Sequence, residues 1–257
     1  WLPKDDVRAA YLESEYNRRF NRIVPRAYDG QRLTFPGMSL MYQGAPLVLH
    51  PHQRAGVLRI VERGEKDDTA MLAYYPGAGK TLCALGGAVK RLQLGLSKKV
   101  VIVVGKNVLH QWQETFRTVY PGIADWLLTG TDRAFDARNR RRFLLEAALG
   151  DARIVLVTYE QFRTIPLQPG TFSAYLRREV EDLSAALIDV EESDPARKNL
   201  ERAFKARESA LADFEAKYQA KWSKVQAAGD ADVAWERWGC DLLIVDEFHS
   251  FKNDVVM

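Results

Sequence analysis

Cysteine is nearly absent from this chain of 257 residues, which has only two. Cys83 and Cys240 both sit in apolar surroundings, and no CxxC spacing occurs. That excludes a disulfide framework and a cysteine zinc site, and it suits a reducing cytoplasm. Long hydrophobic runs are missing too. None reaches the roughly 18 apolar residues of a membrane-spanning helix, so no membrane partner is expected. Charge of one sign is scarce, since the net charge is only +3. A mild basic excess of this size does not by itself argue for nucleic acid. The first residues, Trp1-Leu2-Pro3-Lys4-Asp5-Asp6, make no signal peptide and include no initiator Met, so the chain reads as a piece of something longer. Internal repeats and low-complexity tracts are also lacking.

What is present is an ordinary globular composition, with 47% hydrophobic and 28% charged residues. Val7, Tyr11, Leu12, Tyr16 and Phe20 predict a helix over 5–22. Residues 25–46, rich in Pro, Gly and Tyr, predict an irregular connector, so that 1–46 forms an N-terminal helix and linker. A helix is expected at about 51–64, opened by Pro51. From there the pattern becomes α/β. Thr69–Tyr75, Lys99–Val104, Arg153–Thr158 and Asp241–Val245 are short runs rich in Val, Ile and Leu. The first three are followed by helical segments at 80–94, 107–118 and 159–163, and a further helix is expected over Arg138–Leu149. Apolar strands alternating with helices predict a parallel sheet covered on both faces.

Between Thr164 and Gly239 that rhythm stops. Phe172, Leu176, Val180, Leu183, Leu187 and Val190 step at helical spacing. Leu200, Phe204, Leu211, Phe214 and Tyr218 resume it after Ser193-Asp194-Pro195. The spacing predicts two long helices zipped along an apolar seam, inserted over 164–239 between two parts of the α/β domain, 47–163 and 240–257. Such a hairpin either packs only on itself or serves as an arm that touches nucleic acid or a neighbouring domain. Trp222, Trp235 and Trp238 follow it and are expected to dock it.

Two runs carry chemistry. Pro76-Gly77-Ala78-Gly79-Lys80-Thr81 follows an apolar run and opens a helix. Its glycines let the backbone turn tightly with N–H groups inward, and the helix N-terminus favours phosphate oxygens. Lys80 can reach the β and γ phosphates of a nucleotide, and the Thr81 hydroxyl can ligate Mg²⁺. Tyr74 stands where the strict phosphate-loop pattern has Gly. The second run, Leu242-Leu243-Ile244-Val245-Asp246-Glu247, is a strand that delivers two carboxylates to the edge of the sheet where the loop lies. Asp246 is suited to hold Mg²⁺, and Glu247 to orient and deprotonate a water. Gln53, at a helix start, can pair with an adenine edge, although a solvent-exposed helix-start Gln is the default reading of the residue alone. Gly105-Lys106-Asn107 and Thr158-Tyr159-Glu160 end two further strands on the same edge, where they suit either backbone phosphates of a nucleic acid or ordinary capping. Arg138, Arg140, Arg141 and Arg142 form a basic cluster whose default reading is a solvated face.

The order of these segments resembles a known family. His50-Pro51-His52-Gln53, Gly77-Ala78-Gly79-Lys80-Thr81, Val103-Val104-Gly105-Lys106-Asn107, Val157-Thr158-Tyr159-Glu160 and Val245-Asp246-Glu247-Phe248-His249 are similar to motifs Q, I, Ia, Ib and II of superfamily 2 helicases, closest to Snf2-type translocases. Tyr28-Asp29-Gly30, Phe35-Pro36-Gly37-Met38 and the long charged helices resemble, more narrowly, the large phage and plasmid polypeptides that join an adenine methyltransferase to such a helicase, the DarB antirestriction proteins among them. The resemblance implies a RecA-like lobe that binds ATP and Mg²⁺ and works on DNA, most simply duplex, as an ATPase motor beside a second RecA-like lobe and a methyltransferase domain. It implies adenine recognition by Gln53, phosphate and metal binding by Gly77, Ala78, Gly79, Lys80 and Thr81, and catalysis by Lys80, Asp246 and Glu247. It also implies coupling through His249 and DNA contact by Lys106 and Thr158. The implied setting is the cytoplasm of a bacterium or phage-infected cell, or a virion. Gly105 stands where Pro is usual, and Phe248 where Ala is usual. An arginine finger, worth roughly 10³–10⁵ in rate in other nucleotide hydrolases, is expected from the second lobe, so weak turnover is expected of this chain alone. The rival class is a nucleotide-responsive scaffold that docks DNA without catalysis. A phosphate-loop kinase is disfavoured by the segments at Gly105 and Thr158.

Overall fold

A computed structural model of the chain describes residues 15–16, 28–63, 69–188, 190, 195–227 and 230–248. Of the helix expected over 5–22, Glu15 and Tyr16 are helical and the rest lies outside the described residues, as do His249 and the residues after it.

The fold is the RecA-like α/β class, built on a parallel sheet of four strands. In chain order these are β3 (Val100–Val104), β4 (Leu127–Thr129), β5 (Ile154–Thr158) and β6 (Leu242–Val245), laid side by side as β4-β5-β3-β6. A separate small hairpin, β1 (Met41–Tyr42) and β2 (Ala45–Pro46), lies within the connector that the sequence left irregular. The register runs Val100 beside Ile154 and beside Leu242, so β3 is central. Every residue of β3 and β5 is buried. Their continuous apolar runs follow from that position, because a parallel strand covered on both faces has no polar side to show.

The pleat sends alternate residues to two cores. Val100, Ile102, Val104, Ile154 and Leu156 meet α2 (Lys80–Gln93) and α3 (Leu109–Val119). Val101, Val103, Val155 and Val157 meet α4 (Arg140–Leu149) and Trp238. A further helix, α1 (Pro51–Arg63), lies against α2, with Val57 at Gly86 and Ile60 at Gly87.

Two features depart from the sequence reading. Residues 69–75, expected as the first strand of the α/β unit, join no ladder among the described residues. Both edges of β3 are taken by β5 and β6, and an extended run without a paired neighbour is not a strand. Leu127–Thr129, unforeseen because it is so short, pairs with β5 at the opposite edge.

The hairpin is formed as the seam predicts. After the short helix α5 (Tyr159–Arg163), helix α6 (Pro169–Ile188) packs along α7 (Pro195–Ala227), a helix of 33 residues or roughly 50 Å. Across the pair, Arg207 Nε lies 3.1 Å from Glu179 Oε2. The base of the hairpin is tied down by polar contacts: the Tyr218 hydroxyl donates to Leu167 O at 2.9 Å, and the Glu236 carboxylate accepts from the Gln168 N–H and the Thr171 hydroxyl. Trp235 meets Phe162 edge-on at 5.3 Å, and Trp238 is buried in the second core. These two tryptophans join the hairpin's base to the sheet.

Candidate nucleotide site

The segment Tyr75–Lys80 turns sharply into α2. Gly77 and Gly79 adopt left-handed backbone, with φ of 82° and 80°, a conformation that glycine takes at little cost. Ala78 N–H closes the turn onto Tyr75 O at 3.2 Å. Gly79 is the N-cap of α2, no side chain caps that end, and no acidic residue stands in the first turn. The positive end of the helix dipole therefore faces outward without an internal anion to satisfy it. Lys80 Nζ rests on Tyr74 O at 3.2 Å.

The loop is braced from α1. Gln53, only 6% exposed, accepts the His50 N–H on Oε1 at 2.9 Å and donates from Nε2 to Ala78 O at 3.1 Å. His52 Nε2 lies 3.0 Å from the same carbonyl. A side chain at position 79 would collide with the Gln53 amide, so glycine there serves the brace as well as the turn. Tyr74, the departure from the strict loop pattern, donates its hydroxyl to His52 O at 2.8 Å and stands edge-on to the His52 ring. Its phenol is pushed above its ordinary pKa by burial. Tyr74 thus helps fix the loop's approach to α1, a role that a glycine at that position could not fill.

The acidic pair arrives at the same place from β6. Asp246 N–H donates to Val103 O at 2.9 Å, extending the ladder one residue beyond the strand. Burial, and then the neighbouring Glu247 carboxylate, raise the Asp246 pKa, while the Lys80 ammonium pulls it back. The loop's cation thus acts on the Asp246 carboxyl. Glu247 is exposed and holds left-handed backbone at φ 49°, a costly conformation for a non-glycine residue. Phe248 is 62% exposed.

The donor set fits a nucleoside triphosphate with Mg²⁺: an ammonium, an open helix N-terminus, the Thr81 hydroxyl and two carboxylates. Among the described residues no group of three or more His, Cys, Asp or Glu could hold a metal by themselves.

The two expected nucleic-acid contacts differ in exposure. Lys106 is solvent-facing and 3.1 Å from Asp132 Oδ1. Thr158 is 3% exposed, and its hydroxyl accepts the Gln161 N–H to form a capping box with the Gln161 side chain at the start of α5. One residue unclaimed by the sequence reading also lies here. The Tyr159 hydroxyl donates to Asp246 O, linking the end of β5 to the end of β6. The aromatic after Thr158 was its only sequence signal.

A glycine turn opening α2 and an acidic pair at the end of β6 belong to an α/β domain of the RecA-like class. A family model described as "Probable helicase domain" matches residues 65–256, most of the chain, and the chain belongs to that family. It is also similar to Defense against restriction protein B of Escherichia phage P1, 24% identical over 291 residues that cover 98% of this chain and 12% of that protein. The chain therefore spans a small part of that relative's length, and the narrower resemblance to the DarB kind agrees with the match. No helix of the described residues is long and apolar enough to cross a membrane.

Proposed function

We propose that this chain is the ATP-binding motor lobe of an ATP-dependent DNA translocase or helicase, housed in a larger antirestriction or DNA-modification protein. The observation that supports the reading is the turn at Gly77 and Gly79 that opens α2 with no side-chain cap and no acidic first turn, beside a parallel sheet whose strand β6 ends in Asp246 and Glu247. The backbone at Gly77, Ala78 and Gly79 and the start of α2 receive phosphate oxygens, and Lys80 balances their charge. Thr81 and Asp246 hold Mg²⁺, which when bound neutralises charge that develops on the phosphates. Glu247 orients the attacking water and takes its proton. Gln53 is assigned adenine recognition, with its amide also holding the loop carbonyl of Ala78. Lys106 meets a phosphate of the DNA strand, and exchange of its Asp132 partner for phosphate keeps its charge paired. Thr158 shapes the same edge through its cap. His249 couples the site to a second RecA-like lobe of the parent protein, which would also carry a methyltransferase domain.

ATP turnover by the full-length protein with and without duplex DNA is the test, run beside Lys80→Ala and Glu247→Gln. Loss of turnover in both variants is expected. Turnover retained in both would overturn the catalytic assignment.

A further inference from the structure

The end of β3 lies between the ends of β5 and β6, and one side chain crosses it. Tyr159 follows the last residue of β5. Its hydroxyl donates to Asp246 O, the carbonyl just past β6. On the way the ring passes over Gly105, the residue after β3, where a Cβ would stand 3.8 Å from ring atom Cε2. Gly105 is also the neighbour of Lys106. The bridge thus touches all three strand ends that carry site residues: Lys106 beside β3, Thr158 closing β5 and Asp246–Glu247 after β6.

The anchored carbonyl belongs to a particular peptide. It joins Asp246, whose N–H is held by Val103 O, to Glu247, which stands in left-handed backbone at φ 49°. A strained non-glycine residue persists only where its surroundings hold it, and the Tyr159 hydroxyl is one of the groups that hold this one. Loss of that hydrogen bond frees the peptide to rotate, and rotation re-aims the Glu247 carboxylate. Gly105 fits this arrangement. A Cβ at position 105 would stand 2.7 Å from Asn107 Oδ1 while only touching the ring, so glycine leaves room for both neighbours.

We infer that Tyr159 is a positioning residue that couples nucleic-acid occupancy at the Lys106–Thr158 edge to the aim of the Glu247 carboxylate. The inference rests on the motor reading above and names the regulation of that same site. A strand seated on Lys106 shifts the end of β3 and the start of α5, and Tyr159 carries the shift to the Asp246–Glu247 peptide. Coupling between two sites is typically worth about 5–150-fold.

The experiment compares the full-length protein with Tyr159→Phe, which keeps the ring and removes only the hydroxyl. Three quantities are read: affinity for Mg²⁺ and a slowly hydrolysed ATP analogue, turnover without DNA, and turnover with saturating duplex DNA. The expected result is analogue affinity within about twofold of wild type and a ratio of DNA-stimulated to basal turnover lowered about fivefold or more. A stimulation ratio unchanged in Tyr159→Phe overturns the inference. So does a proportional fall of both turnover rates, which would make Tyr159 a support for the chemistry alone. Should the wild-type protein turn over no ATP with or without DNA, the motor reading itself fails, and the coupling with it.

Discussion

The sheet and the hairpin are built from the same helices-and-seams logic but to opposite ends. In the sheet, β3 and β5 are buried along their whole length, and the polar groups with chemistry gather where strands stop. In the hairpin, α6 and α7 bury one stripe against each other, and charge covers the rest. At the end of β6, burial and then Glu247 raise the Asp246 pKa, while Lys80 pulls it back. The hairpin's ion pair between Glu179 and Arg207 is partly exposed, and pairs of that kind contribute little beyond register. The difference teaches where function can reside: a site needs convergent strand ends, whereas a zipped pair of helices offers length and reach.

The largest test of this contrast is catalytic. Glu247→Gln is expected to lower ATP turnover of the full-length protein by about 10²–10⁴, the usual worth of a positioned general base, while nucleotide binding persists. Shortening the hairpin should leave binding alone. Removing 180–206 and joining Glu179 to Arg207 through a tight turn keeps that pair in register, and analogue affinity is expected to stay within about twofold, as for distant independent sites. A loss of binding as large as that of a loop mutant would dissolve the contrast.

Stability should separate the regions next. Trp238→Ala empties a fully buried site between sheet and hairpin base and is expected to cost about 3–5 kcal/mol in a denaturant melt. Phe204→Ala, on the half-buried seam, is expected to cost about 1–2 kcal/mol. Equal losses would mean that the hairpin shares the sheet's core.

The smallest effect concerns Asp246. Its native pKa stands above the unfolded value because of burial and then Glu247. The native state therefore binds this proton more readily. The resulting stability is fully present below the unfolded pKa and is lost as pH rises through the native one. At neutral pH the ionised group costs stability, so Asp246→Asn is expected to raise Tm by about 1–2 °C. That gain should vanish below about pH 4, where both states are protonated. A gain that persists in acid would assign the effect to packing rather than charge.

Much of this was legible in the sequence, for a physical reason. Apolar runs such as Val100–Val104 and the helical seam from Leu176 to Tyr218 record local periodicity, and burial then enforces it. The loop at Gly77–Thr81 and the pair at Asp246–Glu247 were legible because each compresses its chemistry into adjacent residues. What stayed hidden depends on distant partners. Residues 69–75 have the composition of a strand but no neighbour among the four. At Thr158 the sequence left capping and phosphate contact open, and the cap depends on where the Gln161 side chain folds back. The bridge from Tyr159 to Asp246 joins residues 87 apart in sequence, and no spacing rule connects them.

The central claim is that Gly77–Thr81 and Asp246–Glu247 form one Mg²⁺-dependent nucleotide site. Titration of a slowly hydrolysed ATP analogue into the full-length protein, with Mg²⁺ and with a chelator, tests it most directly. The account predicts saturable binding that weakens on chelation, falls at least about tenfold in Lys80→Ala and survives in Glu247→Gln. Equal binding by wild type and Lys80→Ala, indifferent to Mg²⁺, would contradict it.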